Sequence, residues 1–282
     1  MFQHLAKQLP RCGRNLLKSV LQDSTRNTRN MANVAVNGMN INYEKAGSGS
    51  SVALCMPGAM GSALTDFGAQ LKSLAGPELT LVAWDPPGYG QSRPPARQFP
   101  PTFFKDDALA AAEVMKTLGY ERYHVLGWSD GGNSAVILAA LRPQSVSKLV
   151  IWGANAYYTD KLGNVVKAMR NIEDWSEADR APMLELYGED YFRSMWTEWV
   201  DVTLAFKDVS NGTCMRETRE VQCPTLVVHG AKDEYFEMED PEYFVKNIPN
   251  AKLHVFPEAK HNLHIECADE FNAVVSEFLA GR

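Results

Sequence analysis

Positions 123–131 read YHVLGWSDG, and positions 132–141 continue as GNSAVILAAL. The apolar run Tyr123 to Leu126 predicts a buried strand, and the run Asn133 to Leu141 predicts a helix. Between them, Gly127-Trp128-Ser129-Asp130-Gly131 places a serine on a tight turn, where small glycines let strand and helix approach closely. In this context the pentapeptide predicts a nucleophilic serine; the alternative is a glycine-rich turn that Ser129 merely caps.

A serine nucleophile needs a base and an acid. In folds that present the serine on a strand–turn–helix motif of this kind, the three residues follow along the chain in the order serine, acid, histidine. The predicted strand Thr225 to His229 leads into a loop that ends at Asp233. The predicted strand Lys252 to Phe256 leads into a loop that carries His261. We therefore predict Ser129 as nucleophile, Asp233 as acid and His261 as base.

Other ionisable side chains fit these roles less well. Glu234 and Asp160 are the rival acids, and both have less suitable loop positions. The remaining histidines lie in the leader, in predicted strands or at the start of the last helix: His4, His124, His229, His254 and His264. The pair His261 and His264 lacks the cysteine or carboxylate set of a metal site. We expect neither a metal nor a cofactor.

A tetrahedral oxyanion needs two backbone donors. Asp130, the residue after the nucleophile, supplies one N–H. The loop at residues 57–62, which reads PGAMGS, follows the predicted strand Val52 to Met56 and supplies the other. Either Ala59 or Met60 is the second donor, and Gly58 is expected to bring this loop close to a bound ligand.

Asp130 is the unusual feature of the predicted site, because a carboxylate repels a developing oxyanion. At roughly 5 Å and an effective dielectric constant near 20, the repulsion costs about 3 kcal/mol. A substrate ammonium group paired with Asp130 would offset this cost, so we expect a cationic acyl group, as in an α-amino-acid ester. The alternative is that Asp130 only occupies a helix N-terminus, where a carboxylate is favoured by up to about 1 kcal/mol.

The rest of the chain predicts an α/β fold. Asn37-Gly38 is typical of the turn of an opening hairpin, after which short apolar runs alternate with helical periodicity. The remaining runs expected as parallel strands are Thr80 to Trp84 and Lys148 to Trp152. This pattern predicts a mostly parallel, doubly wound sheet with helices on both faces and a ligand crevice at the carboxyl ends of the strands.

One insertion interrupts the alternation after the sixth predicted strand. Residues 157–222 are longer than an ordinary connection and are compatible with helices. They contain several large aromatic side chains: Trp175, Tyr187, Tyr191, Phe192, Trp196, Trp199 and Phe206. We expect a helical lid over a core formed by residues 31–156 and 223–282, with most of these aromatic rings in the lid's own interior.

Residues 1–30 carry six basic residues and one acidic residue, although the whole chain has a formal net charge of −6. This basic leader predicts a mitochondrial presequence; a disordered tail before a start at Met31, with a cytoplasmic protein, is the alternative. The acidic remainder argues against nucleic acid as a partner. No apolar stretch is long enough to span a membrane. We expect a monomer whose five scattered cysteines form no disulfide framework.

The sequence resembles the valacyclovir hydrolase family, also called biphenyl hydrolase-like proteins, from about Asn33 to the C-terminal helix. The stretches that carry the resemblance are residues 34–38, 84–86, 126–132, 150–157 and 260–264. The resemblance implies a mitochondrial α-amino-acid ester hydrolase of the α/β-hydrolase fold, with Ser129, Asp233 and His261 as triad and Asp130 as amino-group anchor. Pro87 departs from the fold's pattern, since many members carry arginine there, and this puts a loop contact in doubt.

Two other functions stay open on this fold. The same triad supports hydrolysis of a carbon–carbon bond in a diketone-like substrate, although Asp130 argues against anionic substrates of that kind. The fold can also serve as a ligand receptor without turnover. The residues favour a serine hydrolase that forms an acyl-enzyme on Ser129.

Overall fold

The computed structural model describes residues 32–210 and 212–281. Within these ranges, eight strands form one sheet in the order β1-β2-β4-β3-β5-β6-β7-β8. The strands are β1 Ala32–Val36, β2 Met39–Ala46, β3 Ser51–Met56, β4 Leu79–Trp84, β5 Tyr123–Trp128, β6 Val146–Trp152, β7 Thr225–Gly230 and β8 Ala251–Phe256. Strand β2 pairs antiparallel with β1 and β4, and the other neighbours pair parallel. This sheet confirms the expected fold class.

The presequence expected at residues 1–30 lies outside the described residues. A mitochondrial location and a monomeric state therefore stay predictions from the sequence. Among the helices that the structure describes, none has the length and apolar character that a membrane span requires.

The helices follow the strands in the predicted alternation. They are α1 Ala63–Ser73, α2 Phe103–Thr117, α3 Asp130–Leu141, α4 Asp160–Ala168, α5 Glu177–Tyr187, α6 Glu189–Ala205, α7 Met215–Thr218, α8 Glu239–Asn247, α9 Leu263–Glu266 and α10 Ala268–Ala280. Helix α3 begins earlier than the predicted start at Asn133, with Ser129 as its N-cap residue. Glycines at positions 131 and 132 disfavour a helix by propensity, but tertiary packing overrides that preference here.

Both faces of the sheet are buried, as expected for parallel strands covered by helices. Alternate residues of each central strand point to opposite cores; in β5, Val125 joins one apolar cluster and Leu126 the other. Helices α2 and α3 cover the first face. Helices α1 and α10 cover the second. The sheet is therefore doubly wound.

The insertion between β6 and β7 contains helices α4 to α7 and two short 3₁₀ turns, Ile172–Asp174 and Phe206–Asp208. Most of its buried apolar side chains form a third cluster, which also contains Met60, Tyr89 and Phe236 from loops of the core. Phe206, Cys214 and Val221 instead join the cluster on the first face of the sheet. Because those core loops follow β3, β4 and β7, the inserted helices lie over the carboxyl ends of the strands. Their aromatic side chains mostly contact one another, so these rings form the interior of the insertion.

Two glycines allow α3 to approach the sheet closely. An ideal Cβ at Gly127 would lie 2.5 Å from the Gly131 carbonyl oxygen, and one at Gly131 would lie 2.1 Å from the Met56 carbonyl oxygen. Neither position has room for a side chain, so the start of α3 packs directly on the backbones of β3 and β5.

We expect Gly131→Ala to lower the free energy of unfolding by about 3 kcal/mol, because the new methyl group has to displace α3 or β3. Gly76→Ala is the matched control, since no heavy atom lies within 4 Å of its ideal Cβ. The control should change stability by less than about 0.5 kcal/mol. Urea unfolding measures both; equal midpoints for the two variants would contradict the packing argument.

Candidate active site

Ser129 occupies the sharp turn between β5 and α3, with φ 54° and ψ −125°. A positive φ at a residue other than glycine costs on the order of 1–3 kcal/mol, so the turn needs support from its surroundings. The Ser129 N–H donates to the Trp152 carbonyl at 3.0 Å, and the Ser129 carbonyl accepts from the Gly132 N–H at 2.8 Å. These bonds hold the serine at the carboxyl end of β5.

His261 and Asp233 complete a hydrogen-bonded row with Ser129. The Ser129 Oγ lies 3.3 Å from His261 Nε2, and His261 Nδ1 lies 2.9 Å from Asp233 Oδ2. Asp233 comes from the loop after β7, and His261 comes from the loop after β8. The structure thus brings together the three residues that the sequence selects as nucleophile, acid and base.

Asp233 is fixed at both of its carboxylate oxygens. While Oδ2 faces His261, Oδ1 accepts hydrogen bonds from the backbone N–H groups of Tyr235 at 2.8 Å and Phe236 at 3.1 Å. Burial acts to raise the pKa of Asp233, but the hydrogen bond and charge of His261 and the two N–H groups together hold it below its ordinary value. An ionised carboxylate in this position orients the His261 ring.

The His261 ring lies against Gly153, just after β6. Gly153 has a φ of 56°, and an ideal Cβ there would lie 2.7 Å from His261 Cε1. The ring is also packed against Trp128 and Tyr235, with centroid distances of 5.3 and 4.7 Å. The missing side chain of Gly153 therefore provides the space in which the imidazole sits.

The loop at residues 57–62 passes beside the nucleophile. An ideal Cβ at Gly58 would lie 3.2 Å from Ser129 Cβ. The Gly61 N–H is occupied, because it donates to the Gly58 carbonyl at 3.1 Å. Burial raises the pKa of the nearby Tyr89 hydroxyl, and the Met60 backbone opposes this only weakly. The Ala59 N–H directly follows Gly58 beside Ser129.

Asp66, in the first turn of α1, holds this loop and was not selected from the sequence. Its Oδ2 accepts from the Gly58 N–H at 2.9 Å, and its Oδ1 accepts from the Thr65 hydroxyl at 2.7 Å. An ideal Cβ at Gly61 would lie 1.9 Å from the same Oδ2. Burial raises the pKa of Asp66 to about 7, against both hydrogen bonds. Gly61 thus makes room for a carboxyl group that fixes the loop.

Asp130 is the first residue of α3, and its side chain lies between the core and the lid. Its Oδ2 accepts a hydrogen bond from Trp199 Nε1 at 2.7 Å. Burial raises the pKa of Asp130 to about 6, while the Trp199 hydrogen bond and the charge of Arg97 act to lower it. At neutral pH the side chain is therefore mostly a carboxylate in surroundings of low polarity.

A buried ion pair lies behind Asp130, and the sequence did not reveal it. Arg97 donates two hydrogen bonds to Asp107, at 2.7 and 2.6 Å, and its guanidinium lies 4.4 Å from the centre of the Tyr89 ring. These side chains and Asp130 line a cavity of about 10 Å³, roughly the space of one water molecule. Arg97 also donates to the Pro87 carbonyl at 3.2 Å, so the loop that departs from the fold's usual sequence is still anchored.

The rival side chains lie outside this row. Glu234 forms an ion pair with Lys260 at 2.7 Å, and Asp160 lies 3.9 Å from Lys207 on an exposed surface. The other described histidines are strand residues or are buried among aromatic rings: His124, His229, His254 and His264. Within residues 32–210 and 212–281, no three histidine, cysteine or acidic side chains are grouped as a metal site requires.

Comparison with known proteins gives consistent relatives. Residues 53–274 match the alpha/beta hydrolase family. Serine hydrolase BPHL of Homo sapiens is 46% identical over 249 residues, covering 88% of this chain and 86% of the human protein. A 2-hydroxy-6-oxononadienedioate/2-hydroxy-6-oxononatrienedioate hydrolase of Pseudomonas putida is 28% identical and covers 86% of this chain and 92% of its own. A meta-cleavage product hydrolase structure from Pseudomonas fluorescens IP01 has a TM-score of 0.70 at 22% identity, covering 89% of this chain and 97% of its own, which shows the shared fold.

We expect Gly153→Ala to reduce hydrolysis of any ester by about 100-fold or more, because the added methyl group displaces the His261 ring. Gly119→Ala is the matched control: Gly119 also has a positive φ, 85°, but no heavy atom lies within 4 Å of its ideal Cβ. Both variants should lose some stability from backbone strain, whereas only Gly153→Ala should lose activity. Equal kcat values for the two variants would show that Gly153 does not position the histidine.

Proposed function

The chain belongs to the alpha/beta hydrolase family and is a serine hydrolase related to BPHL, and on this basis we propose that it hydrolyses carboxylic esters of α-amino acids through an acyl-enzyme on Ser129. The observation that carries the substrate class is the carboxylate of Asp130, directly after the nucleophile. The hydrogen-bonded row of Ser129, His261 and Asp233 supports the reaction type.

In the proposed reaction, His261 removes the proton of the Ser129 hydroxyl as the oxygen attacks the ester carbonyl carbon. The carbonyl carbon becomes tetrahedral, and His261 then gives the proton to the leaving alcohol, which leaves an acyl ester on Ser129. A water molecule deprotonated by His261 attacks this ester and releases the acid, while the proton returns to Ser129. Asp233 stabilises the protonated imidazole in each step.

The backbone N–H of Asp130 is the proposed first donor to the oxyanion. It belongs to the first residue of α3, so it has no acceptor within the helix. Ala59 is favoured as the second donor, because its N–H directly follows Gly58, which lies beside Ser129. The bond between Gly58 and Asp66 holds that part of the loop in place.

The charges around Asp130 support a cationic substrate. Arg97 is already neutralised by its paired bonds to Asp107. The two buried side chains and the half-buried Asp130 together therefore retain one negative charge. A buried charge without an opposite charge is costly, and an ammonium group beside Asp130 would compensate it. The α-amino group of an amino-acid ester carries such a charge close to the carbonyl that Ser129 attacks.

The alternative functions receive less support. The name of the P. putida relative describes a dicarboxylate substrate. A site with a net negative charge beside the nucleophile disfavours such a substrate for this chain. A receptor without turnover does not need the hydrogen-bonded row between Asp233, His261 and Ser129.

A pair of esters that differ only in the α-amino group tests the proposal. The p-nitrophenyl esters of phenylalanine and of 3-phenylpropanoic acid form such a pair, and the wild-type enzyme should prefer the first. Asp130→Asn should lower kcat/KM for the aminoacyl ester by roughly 10- to 100-fold, the effect of losing an interaction with a charged group. The uncharged ester should keep or gain activity, because it makes no ion pair with Asp130 and the substitution removes the repulsion between the carboxylate and the developing oxyanion.

Two controls accompany this measurement. Ser129→Ala should abolish the initial burst of p-nitrophenol with both esters, which tests the acyl-enzyme itself. Asp240→Asn replaces another buried carboxyl group whose pKa burial raises to about 6, and it should leave the preference between the esters unchanged. An equal loss of both activities in Asp130→Asn would refute a role in recognising charge.

The preference for the charged ester should also depend on pH. Burial raises the pKa of Asp130 to about 6, so its carboxylate becomes protonated as the pH falls from 7 to 5. The ratio of kcat/KM for the charged ester to kcat/KM for the uncharged ester should fall across this range. Protonation of His261 affects both esters in the same way and therefore cancels in the ratio. Above about pH 8 the ratio should fall again, because the α-amino group loses its proton. A constant ratio between pH 5 and 7 would exclude Asp130 as the anchor.

A further inference from the structure

Trp199, in lid helix α6, contacts the proposed anchor directly. We infer that Trp199 determines specificity: its indole N–H holds one oxygen of the Asp130 carboxylate so that the other oxygen faces the substrate ammonium group. This inference rests on the proposed function of Asp130. It adds a lid residue to a site whose other members all come from the core.

The hydrogen bond divides the two oxygens of Asp130. Oδ2 accepts from Trp199 Nε1 at 2.7 Å. Oδ1 accepts no hydrogen bond from the residues that the structure describes. It is also absent from the fully buried polar atoms of these residues that lack a partner, so it is open to a ligand. A carboxylate offers about four acceptor positions, so an ammonium group can bind Oδ1 while the indole stays on Oδ2. The indole thereby sets the direction in which Oδ1 points.

A stack of tryptophans in the lid holds this indole in place. The Trp199 ring stacks on Trp196, with centroids 4.7 Å apart and planes 21° apart. Trp196 in turn meets Trp175 edge-on at 4.7 Å. The indole N–H groups of Trp196 and Trp175 both donate to the Met169 carbonyl at 2.9 Å. Of these three indoles, only that of Trp199 donates to the core.

The charged groups that face Asp130 come from several elements. Arg97 and His261 act to lower the pKa of Asp130, and Asp107 acts to raise it. Arg97 is bound at both terminal nitrogens by Asp107, and His261 is bound by Asp233 and Ser129. The Trp199 N–H is the one side-chain hydrogen bond to the Asp130 carboxylate among the described residues. Removing the Trp199 indole therefore removes the one side-chain hydrogen bond that holds the Asp130 carboxylate among the described residues.

The location of Trp199 couples substrate recognition to the lid. Asp130 belongs to α3 of the core, whereas Trp199 belongs to α6 of the inserted helices. The proposed orientation of the carboxylate therefore requires this contact between lid and core. An uncharged ester needs the nucleophile and the oxyanion donors but not this contact.

The test compares Trp199→Phe with Trp196→Phe, using the phenylalanine and 3-phenylpropanoate esters. Both substitutions keep an aromatic ring in the stack and remove one indole N–H, but only Trp199→Phe removes the donor to Asp130. We expect Trp199→Phe to lower the preference for the charged ester by roughly tenfold or more. Trp196→Phe should leave the preference within about twofold of wild type, even if both variants lose a similar amount of thermal stability.

A double-mutant cycle and a rescue variant make the result specific. In the Asp130→Asn background, Trp199→Phe should cause no further loss of preference, since the two side chains act together. Trp199→His should restore much of the preference above pH 7, because the imidazole Nε2 occupies nearly the same place on the side chain as the indole Nε1. In Trp199→Phe, the fall in preference at acidic pH should begin at a higher pH than in wild type.

The outcomes separate the two proposals. If wild type shows no preference for the charged ester and Asp130→Asn changes nothing, the proposed function fails. If the preference depends on Asp130 but persists in Trp199→Phe, only the role of Trp199 is refuted. An equal loss of preference in Trp199→Phe and Trp196→Phe would also refute it, because the effect would then follow from general disturbance of the lid.

Discussion

The close approach of helix α3 to the backbones of β3 and β5 is the constraint on which the site depends. It exists because positions 127 and 131 have no side chains, and an ideal Cβ at either would collide with backbone or neighbouring atoms. The chain then has to turn at Ser129 with a positive φ. That turn exposes the Ser129 hydroxyl and is followed directly by the Asp130 N–H, so the positions of both groups depend on the same close approach.

The parallel sheet brings Asp233 and His261 to the same edge as Ser129. Backbone groups at this edge fix much of the arrangement. The Trp152 carbonyl of β6 holds the Ser129 N–H, and Gly153, the next residue, leaves room for the His261 ring. The loops after β7 and β8 carry Asp233 and His261. Four neighbouring strand ends, β5 to β8, therefore contribute to one hydrogen-bonded arrangement, as expected for a crevice at the carboxyl edge of a doubly wound sheet.

The fold was largely predictable, since buried strands, hairpin turn and strand–turn–helix motif all leave local signals. The row Ser129, Asp233 and His261 was also predictable, because its members follow strands in a fixed order. Arg97, Asp66 and Trp199 were not. Each acts through a partner on another element of the fold: Arg97 through Asp107, Asp66 through Gly58 and Trp199 through Asp130. Their local sequence resembles that of an ordinary loop, a helix start and an apolar helix face, so only tertiary contacts distinguish them.

Two carboxyl groups lie near Ser129: Asp130 is the next residue, and Asp66 binds the Gly58 N–H of the adjacent loop. They differ in how their charge is compensated. Asp66 accepts hydrogen bonds at both oxygens, and burial raises its pKa to about 7, so near neutral pH it is charged only part of the time. Asp130 has a pKa of about 6 and accepts one hydrogen bond from the described residues, so it is mostly charged and less fully satisfied. A mostly ionised, incompletely satisfied carboxylate gains more from a cation than one that is satisfied and partly protonated. Under the proposed function, this difference is the reason why Asp130, and not Asp66, would select a charged substrate.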